Sequence, residues 1–318
     1  MLYKILTLAL LLASQTNAVP WNENLRWSLD LSSRARINRT NDLATFGFIG
    51  LDMHKVISTR SRDLVTLTLQ PYLTRVDNLK PTPPIFDGPD DWELVWRIFN
   101  ANIKILQNGA LNLRLGHLEI PFGLEHPIST NGTLRDFQHG KNFGVKADWG
   151  VSVNGDLGAN EYEIAWSSGS GNKLREGGGV VSGRIGSDRD ANLVYGLSFL
   201  NGKFVNGQER RRFGVDIQWY ARAFGLLGEV SFGKDKPTKG IRRFIGELNW
   251  RNGDETIFAW LQLLANEEQE MDDLSIKVGA EYGAWRRFAL SAQYVQQLKD
   301  PTGSELGRSL LAQLRYRY

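Results

Sequence analysis

The strongest constraint on this chain of 318 residues is an alternation of apolar and polar side chains with a period of two, repeated in segment after segment up to the final residue. In "FGVDIQW", Phe213, Val215, Ile217 and Trp219 alternate with Gly214, Asp216 and Gln218. In "LSIKVGAEY", Leu274, Ile276, Val278, Ala280 and Tyr282 alternate with Ser275, Lys277, Gly279 and Glu281. Successive side chains leave opposite faces of a strand, so each such segment carries one apolar and one polar face. Sixteen segments read this way, at 25–35, 44–57, 63–74, 92–105, 109–120, 142–153, 160–167, 179–186, 191–200, 211–220, 222–232, 240–250, 255–265, 273–283, 285–297 and 308–318.

The connections sort by length. Those after even-numbered segments are short, such as "NGA", "YAR" and "GAW". Those after odd-numbered segments are mostly longer and more polar, including "DNLKPTPPIFDGPDD" and the stretch from Pro121 to Lys141. Short turns on one rim and long loops on the other are the plan of an all-β, single closed antiparallel transmembrane barrel, with short periplasmic turns and longer extracellular loops. An exported β-sandwich has no reason to sort its loops this way. Arg212, Asp216, Arg243, Glu247, Lys277 and Glu281 share the polar face. Trp92, Trp96, Trp219, Tyr220, Trp250, Tyr282, Trp285, Tyr316 and Tyr318 fall near segment ends, where interfacial girdles are expected.

The N-terminus supports export. Lys4, the apolar run Ile5–Ser14 and the small residues before Val19 read as a secretory signal, residues 1–18, with cleavage after Ala18 and a barrel over 19–318. No cysteine is present, so an exported fold must be held by a large hydrogen-bonded sheet rather than by disulfides. The net charge of +3 is too balanced to point to nucleic acid, and no later window approaches eighteen uninterrupted apolar residues.

The most individual stretch is "LNLRLGHLEIPFGLEHPIST", Leu111 to Thr130. Leu111, Leu113 and Leu115 read as outward and Asn112 and Arg114 as inward. Keeping His117 and Glu119 in the lumen then requires a bulge at Gly116 that turns Leu118 and Ile120 outward. Its "LRLGHLEIPFGLE", with Ser129 and Thr130 after it, resembles a segment of the phosphate-selective (O/P-type) family of bacterial outer-membrane porins. That resemblance implies a sixteen-stranded barrel, a homotrimer, and a loop after strand five that folds into the lumen. The constriction candidates are then Glu119, Glu125, His126, Arg135, Asp136, His139 and Lys141; the alternative is a loop that merely covers a rim.

By the same resemblance, Arg114, Arg212, Arg243, Arg315 and Arg317 are candidates for a basic pore wall. Asp216, Glu229, Glu247 and Glu281 share that face, however, so a mixed wall of paired charges is the competing reading. Tyr316 and Tyr318 would form the address read by the barrel-assembly machinery, in an outer membrane of lipid and lipopolysaccharide. The four histidines show no metal-binding spacing, and no G-x-S-x-G or phosphate-cradling glycine loop occurs. The expectation is a diffusion channel for small hydrophilic solutes or anions, without catalysis, cofactor, metal or nucleic acid. A substrate-specific anion channel, or an enzymatic or structural barrel, is the alternative.

Overall fold

The structure, a computed structural model, describes residues 23–40, 42–77, 91–138, 142–176, 178–236, 239–268, 271–285, 287–299 and 307–318. Residues 1–18, read as a signal, lie outside the described residues, as do His139 and Lys141. The strands are β1 (Leu25–Asn38), β2 (Leu43–Ser58), β3 (Asp63–Asp77), β4 (Trp92–Lys104), β5 (Asn112–Glu119), β6 (Ala147–Leu157), β7 (Asn160–Ser167) and β8 (Gly179–Ser187). They continue as β9 (Leu193–Lys203), β10 (Glu209–Ala221), β11 (Phe224–Asp235), β12 (Lys239–Arg251), β13 (Ile257–Glu268), β14 (Met271–Trp285), β15 (Phe288–Lys299) and β16 (Arg308–Arg317). Each pairs antiparallel with its neighbour. β1 meets β16 from Asp30↔Arg317 to Asn38↔Ser309, which closes the sheet into a barrel with no edge.

All sixteen expected segments are strands, and the alternation runs inside out relative to a water-soluble barrel. Leu197, Val215, Leu226 and Leu261 are exposed on the outer face, while Arg212, Asp216, Glu247 and Gln262 are buried on the inner one. Trp27, Trp92, Trp219, Phe224, Tyr282 and Tyr318 lie exposed on the outside toward strand ends, as girdles do. A single closed ring with a polar interior rules out the sandwich.

The rims differ from expectation. Strands β9 to β14 run further, so the connections 204–208, 236–238 and 269–270 are short. Beyond the apolar band both faces of a hairpin can carry polar side chains, so the polar composition of those stretches does not stop the ladder. The longer connections 78–91, 120–146, 168–178 and 300–307 all follow odd-numbered strands, whereas those after even-numbered strands span two to seven residues. β6 begins at Ala147 rather than 142, because Asn142 and Phe143 form a helical turn at the end of the loop and both are buried.

The expected bulge at Gly116 is absent. β5 pairs through Gly116 with β4 (Asn100↔Gly116, Phe99↔His117) and with β6 (Gly116↔Gly150, Glu119↔Ala147) without a shift. His117 therefore stays on the face of Leu113 and Leu115. It is fully buried, with its ring 5.2 Å from that of Trp149 and Nδ1 3.0 Å from the Arg97 carbonyl. Leu118 and Ile120 are buried rather than outward. The ladder slips one strand earlier. Pro71 has no N–H to donate, and the register shifts there from Gln70↔Ile98 to Pro71↔Trp96, leaving Arg97 as the extra residue. Trp92, Leu94 and Trp96 consequently face outward while Ile98, Asn100 and Asn102 line the lumen. β5 is short, and its ladder with β4 comprises six residue pairs, against thirteen between β1 and β2.

Gly116 matters for a different reason. Its φ is +127°, and a Cβ there would lie 2.2 Å from the Phe99 carbonyl oxygen. Gly116→Ala should lower barrel stability by roughly 1–3 kcal/mol, read as a lower urea midpoint for loss of the heat-modifiable folded band. Gly240→Ala, where a Cβ meets nothing within 4 Å, should leave that midpoint unchanged.

Candidate pore constriction

The connection between β5 and β6, 120–146, turns into the barrel over its described residues, 120–138 and 142–146, instead of covering the rim. Apolar side chains anchor the loop in two places. Ile120, Phe122 and Phe143 pack with Val180, Leu200 and Phe204, with the Phe122 and Phe143 rings edge to face at 4.9 Å. Leu124, Ile128 and Phe137 pack with Leu227, Ile245 and Leu264 of β11, β12 and β13. Gly214 opens the seat for Phe122: a Cβ there would lie 2.7 Å from the ring. Burying Phe122 and Leu124 completely contributes roughly 1.5–3 kcal/mol each, which offsets part of the cost of ordering the loop, about 1–2 kcal/mol per residue.

Polar contacts carry the rest. Gly123 N–H donates to Ser198 Oγ (3.0 Å) and Leu124 N–H to Glu229 Oε2 (2.8 Å). On the return limb Asp136 N–H donates to Gln262 Oε1 (3.1 Å) and Gln138 Nε2 to the Phe244 carbonyl (3.1 Å). Between these limbs the tip, Asn131–Thr133, reaches β1 and β16. The loop thus crosses the lumen. On the long-loop side it borders a cavity of about 680 Å³ whose lining includes Leu134, Arg135 and Asp136. On the short-turn side it borders one of about 440 Å³ whose lining includes residues His126 to Ser129 and Asn131.

Most of the charged residues singled out in the sequence are ion-paired here. Arg135 forks onto Glu247 (Nη2–Oε1 2.8 Å, Nε–Oε2 2.9 Å) with its guanidinium over the rings of Phe137 and Phe258. Asp136 pairs with Lys277. Glu125 lies 3.5 Å from Lys146, and Glu119 lies 3.8 Å from Arg97 and 3.9 Å from Lys146. His126 Nε2 is 3.5 Å from Glu163, which Arg114 also contacts at 2.9 Å. Arg212 is wholly buried against Asp235 (2.6 Å), Arg243 lies 3.9 Å from Glu268, Arg315 pairs with Asp30 (2.5 Å) and Arg317 with Asp52 (2.9 Å). The interior is a mixed wall of paired charges, not a bare basic ladder. Tyr316 and Tyr318 are not in the lumen: the Tyr316 ring packs tilted against Phe288 (centroids 4.8 Å apart), and the Tyr318 ring sits 4.0 Å below the Arg287 guanidinium.

Several residues in this assembly went unmarked in the sequence. Arg34, Arg36, Arg97, Lys146, Glu163, Asp30 and Tyr72 all face or line the interior, and Arg184 binds Asp216 at 2.7 Å deep in the wall. Parity could have found Asp30, Arg34 and Arg36, which share a face of β1. Arg97 is displaced by the register shift, which the sequence shows only as Pro71.

No family model matches the chain, and no curated protein matches it in sequence. Among solved structures the barrel is similar to an anion-selective porin from Comamonas acidovorans, with a TM-score of 0.69 and 11 % identity over 95 % of this chain and 100 % of that one. It is similar in the same measure to OmpF of Salmonella typhi in complex with daunomycin (TM-score 0.69, 11 % identity, 95 % and 100 % covered). OprB of Pseudomonas putida gives a TM-score of 0.68 at 12 % identity, over 93 % of this chain and 94 % of that one. At these identities the likeness is one of fold.

The Arg135–Glu247 pair offers a direct check on how the loop is held. Arg135→Ala leaves the Glu247 carboxylate buried without its cation and should cost roughly 3 kcal/mol of stability. Adding Glu247→Leu should recover most of that loss, measured as the coupling energy of a double-mutant cycle in denaturant unfolding.

Proposed function

We propose that the chain is a bacterial outer-membrane porin, a passive channel for small hydrophilic solutes and ions. The observation that carries this reading is a closed barrel, apolar outside and charged inside, whose longest connection folds into the lumen and narrows it. An apolar band around a ladder without edges is what a bilayer requires of a β-structure. The similarity of fold to three solved outer-membrane porins supports the same reading. It involves no catalysis, cofactor or energy source. Solutes move down their gradients past the loop, where Glu119, Glu125, His126, Arg135 and Asp136 form the constriction.

The preference is for anions. Within the pairs the carboxylate is the more deeply buried partner and the guanidinium the one nearer the cavity, as in Arg114–Glu163, Arg135–Glu247 and Arg317–Asp52. The 680 Å³ cavity is lined by Arg34, Arg36, Arg39, Arg135, Lys277 and Arg308 against Asp136 and Asp273. The 440 Å³ cavity is lined by Arg97, Arg114, Arg189 and Arg317 against Asp52 and Glu119. A lumen with excess positive charge raises the local anion concentration. Kinship with phosphate-selective porins rests on the Leu113–Glu125 segment; saturable conductance in phosphate would narrow the solute class to that anion.

Residues 1–18 serve as the export signal. Assembly is as a homotrimer in the outer membrane, among lipid and lipopolysaccharide, through the barrel-assembly machinery. Support for self-association comes from the outer face of β1 and β2, where small residues (Ser33, Ala35, Thr45 and Gly47) interrupt the apolar band beside a groove of about 520 Å³.

Purified protein in planar bilayers should give stepwise conductance, with a reversal potential in a KCl gradient on the anion side; no conductance, or a cation-side potential, contradicts the reading. The double substitution Arg36→Glu and Arg308→Glu should lower the anion-to-cation permeability ratio by roughly twofold without removing conductance. Tyr318 exchanges both backbone hydrogen bonds with Leu29 of β1 (2.9 and 3.1 Å). Deleting Tyr318 should reduce the amount of assembled barrel while leaving the conductance of the channels that do form unchanged.

A further inference from the structure

The tip of the inner loop closes on the seam of the barrel. Three consecutive loop carbonyls accept hydrogen bonds from three inward side chains: Asn131 O from Arg315 Nη1 (3.0 Å), Gly132 O from Gln313 Nε2 (2.5 Å) and Thr133 O from Arg34 Nη2 (3.0 Å). Arg315 and Gln313 stand on β16 and Arg34 on β1, the two strands whose pairing closes the ring. These side chains are also tied across the seam to one another. Arg34 donates to Gln313 Oε1 from Nε (3.0 Å) and Nη2 (2.7 Å), and Arg315 forks onto both oxygens of Asp30 (2.8 and 2.5 Å). The Asn131 amide adds bonds to Asp30 Oδ2 (3.1 Å) and Tyr72 Oη (2.6 Å). Gly132 is at φ +68°, and a Cβ there would lie 2.3 Å from the Arg315 guanidinium carbon, so the guanidinium lies flat on bare backbone.

A loop tip that merely projected into water would have its carbonyls solvated at no cost in specificity. Matching three in succession to donors from opposite ends of the chain, with a glycine where the arginine needs room, builds a dock. We propose that this clasp sets the solute size limit of the channel. While Asn131–Thr133 is docked, the space between loop and seam is shut, and solutes are confined to the cross-section left beside the loop, between the cavities on its two sides. Asp30 and Tyr72 act as positioning residues that orient Arg315 and Asn131. This inference rests on the porin reading.

The test is single-channel conductance in planar bilayers, with liposome swelling in neutral sugars of increasing size, on the full chain and two variants. Asn131→Ala lies in the loop and leaves every ladder intact; Asp30→Asn weakens the Arg315 fork from the wall. Electrophoresis with and without heating confirms that each variant is a folded barrel. Each folded variant should show conductance higher by on the order of 1.5- to 2-fold and should admit a sugar that the unaltered chain excludes. Conductance and size limit unchanged in folded Asn131→Ala overturn the clasp and leave the porin reading standing. An unaltered chain that does not conduct overturns both.

Discussion

Closure of the ladder between β1 and β16 is the interaction on which everything else in the molecule depends. The barrel has neither disulfides nor a solid apolar centre: most apolar side chains of its strands point outward, and apart from the two seats of the inner loop its interior is polar and charged. Every strand therefore relies on a partner on each side, and nine residue pairs between the first and last strands remove the two edges that would otherwise be left open. Closure also brings β9 to β13 and the seam around to face the root of the inner loop. The polar dock for the tip, built from β1 and β16, exists only in a completed ring.

The wall explains how so much charge is tolerated in the interior. Buried carboxylates such as Asp216, Glu247 and Asp30 each receive a guanidinium as a two-point fork, in the latter two with further amide donors alongside. Isolated, any of them would carry the full penalty of an unpaired buried ion. The pairs cancel most of the field across the wall.

The architecture was legible because alternation is a local property. Segments such as Phe213–Trp219 and Leu274–Tyr282 show their two faces without reference to anything else, and fifteen connections then order the ring. The inner loop was legible only in part. Leu200, Leu227, Ile245 and Leu264 sit on the polar face directly after an apolar neighbour, Phe199, Leu226, Phe244 and Leu263 respectively. Those doublets, which look like lapses in the pattern, mark where the loop lands. The register at β4 and β5 is misplaced in the sequence reading because Gly116 looks like a bulge, whereas the real discontinuity lies at Pro71 on β3, and only the pairing of β3 with β4 shows it. The ion pairs were out of reach, since Arg135 and Glu247, or Arg315 and Asp30, are joined by topology rather than by spacing.

The unequal ladders around the ring have a mechanical meaning. The closing seam, the obvious place for a barrel to come apart, carries nine pairs and is bridged on its inner side by the loop tip. The joint between β4 and β5 carries six, with the register slip at Arg97 immediately beyond. If the wall parts sideways under thermal strain, it parts between β4 and β5, beside the root of the inner loop. The hoop is weakest at an internal rung, and the place where the chain ends were joined is the better-fastened one.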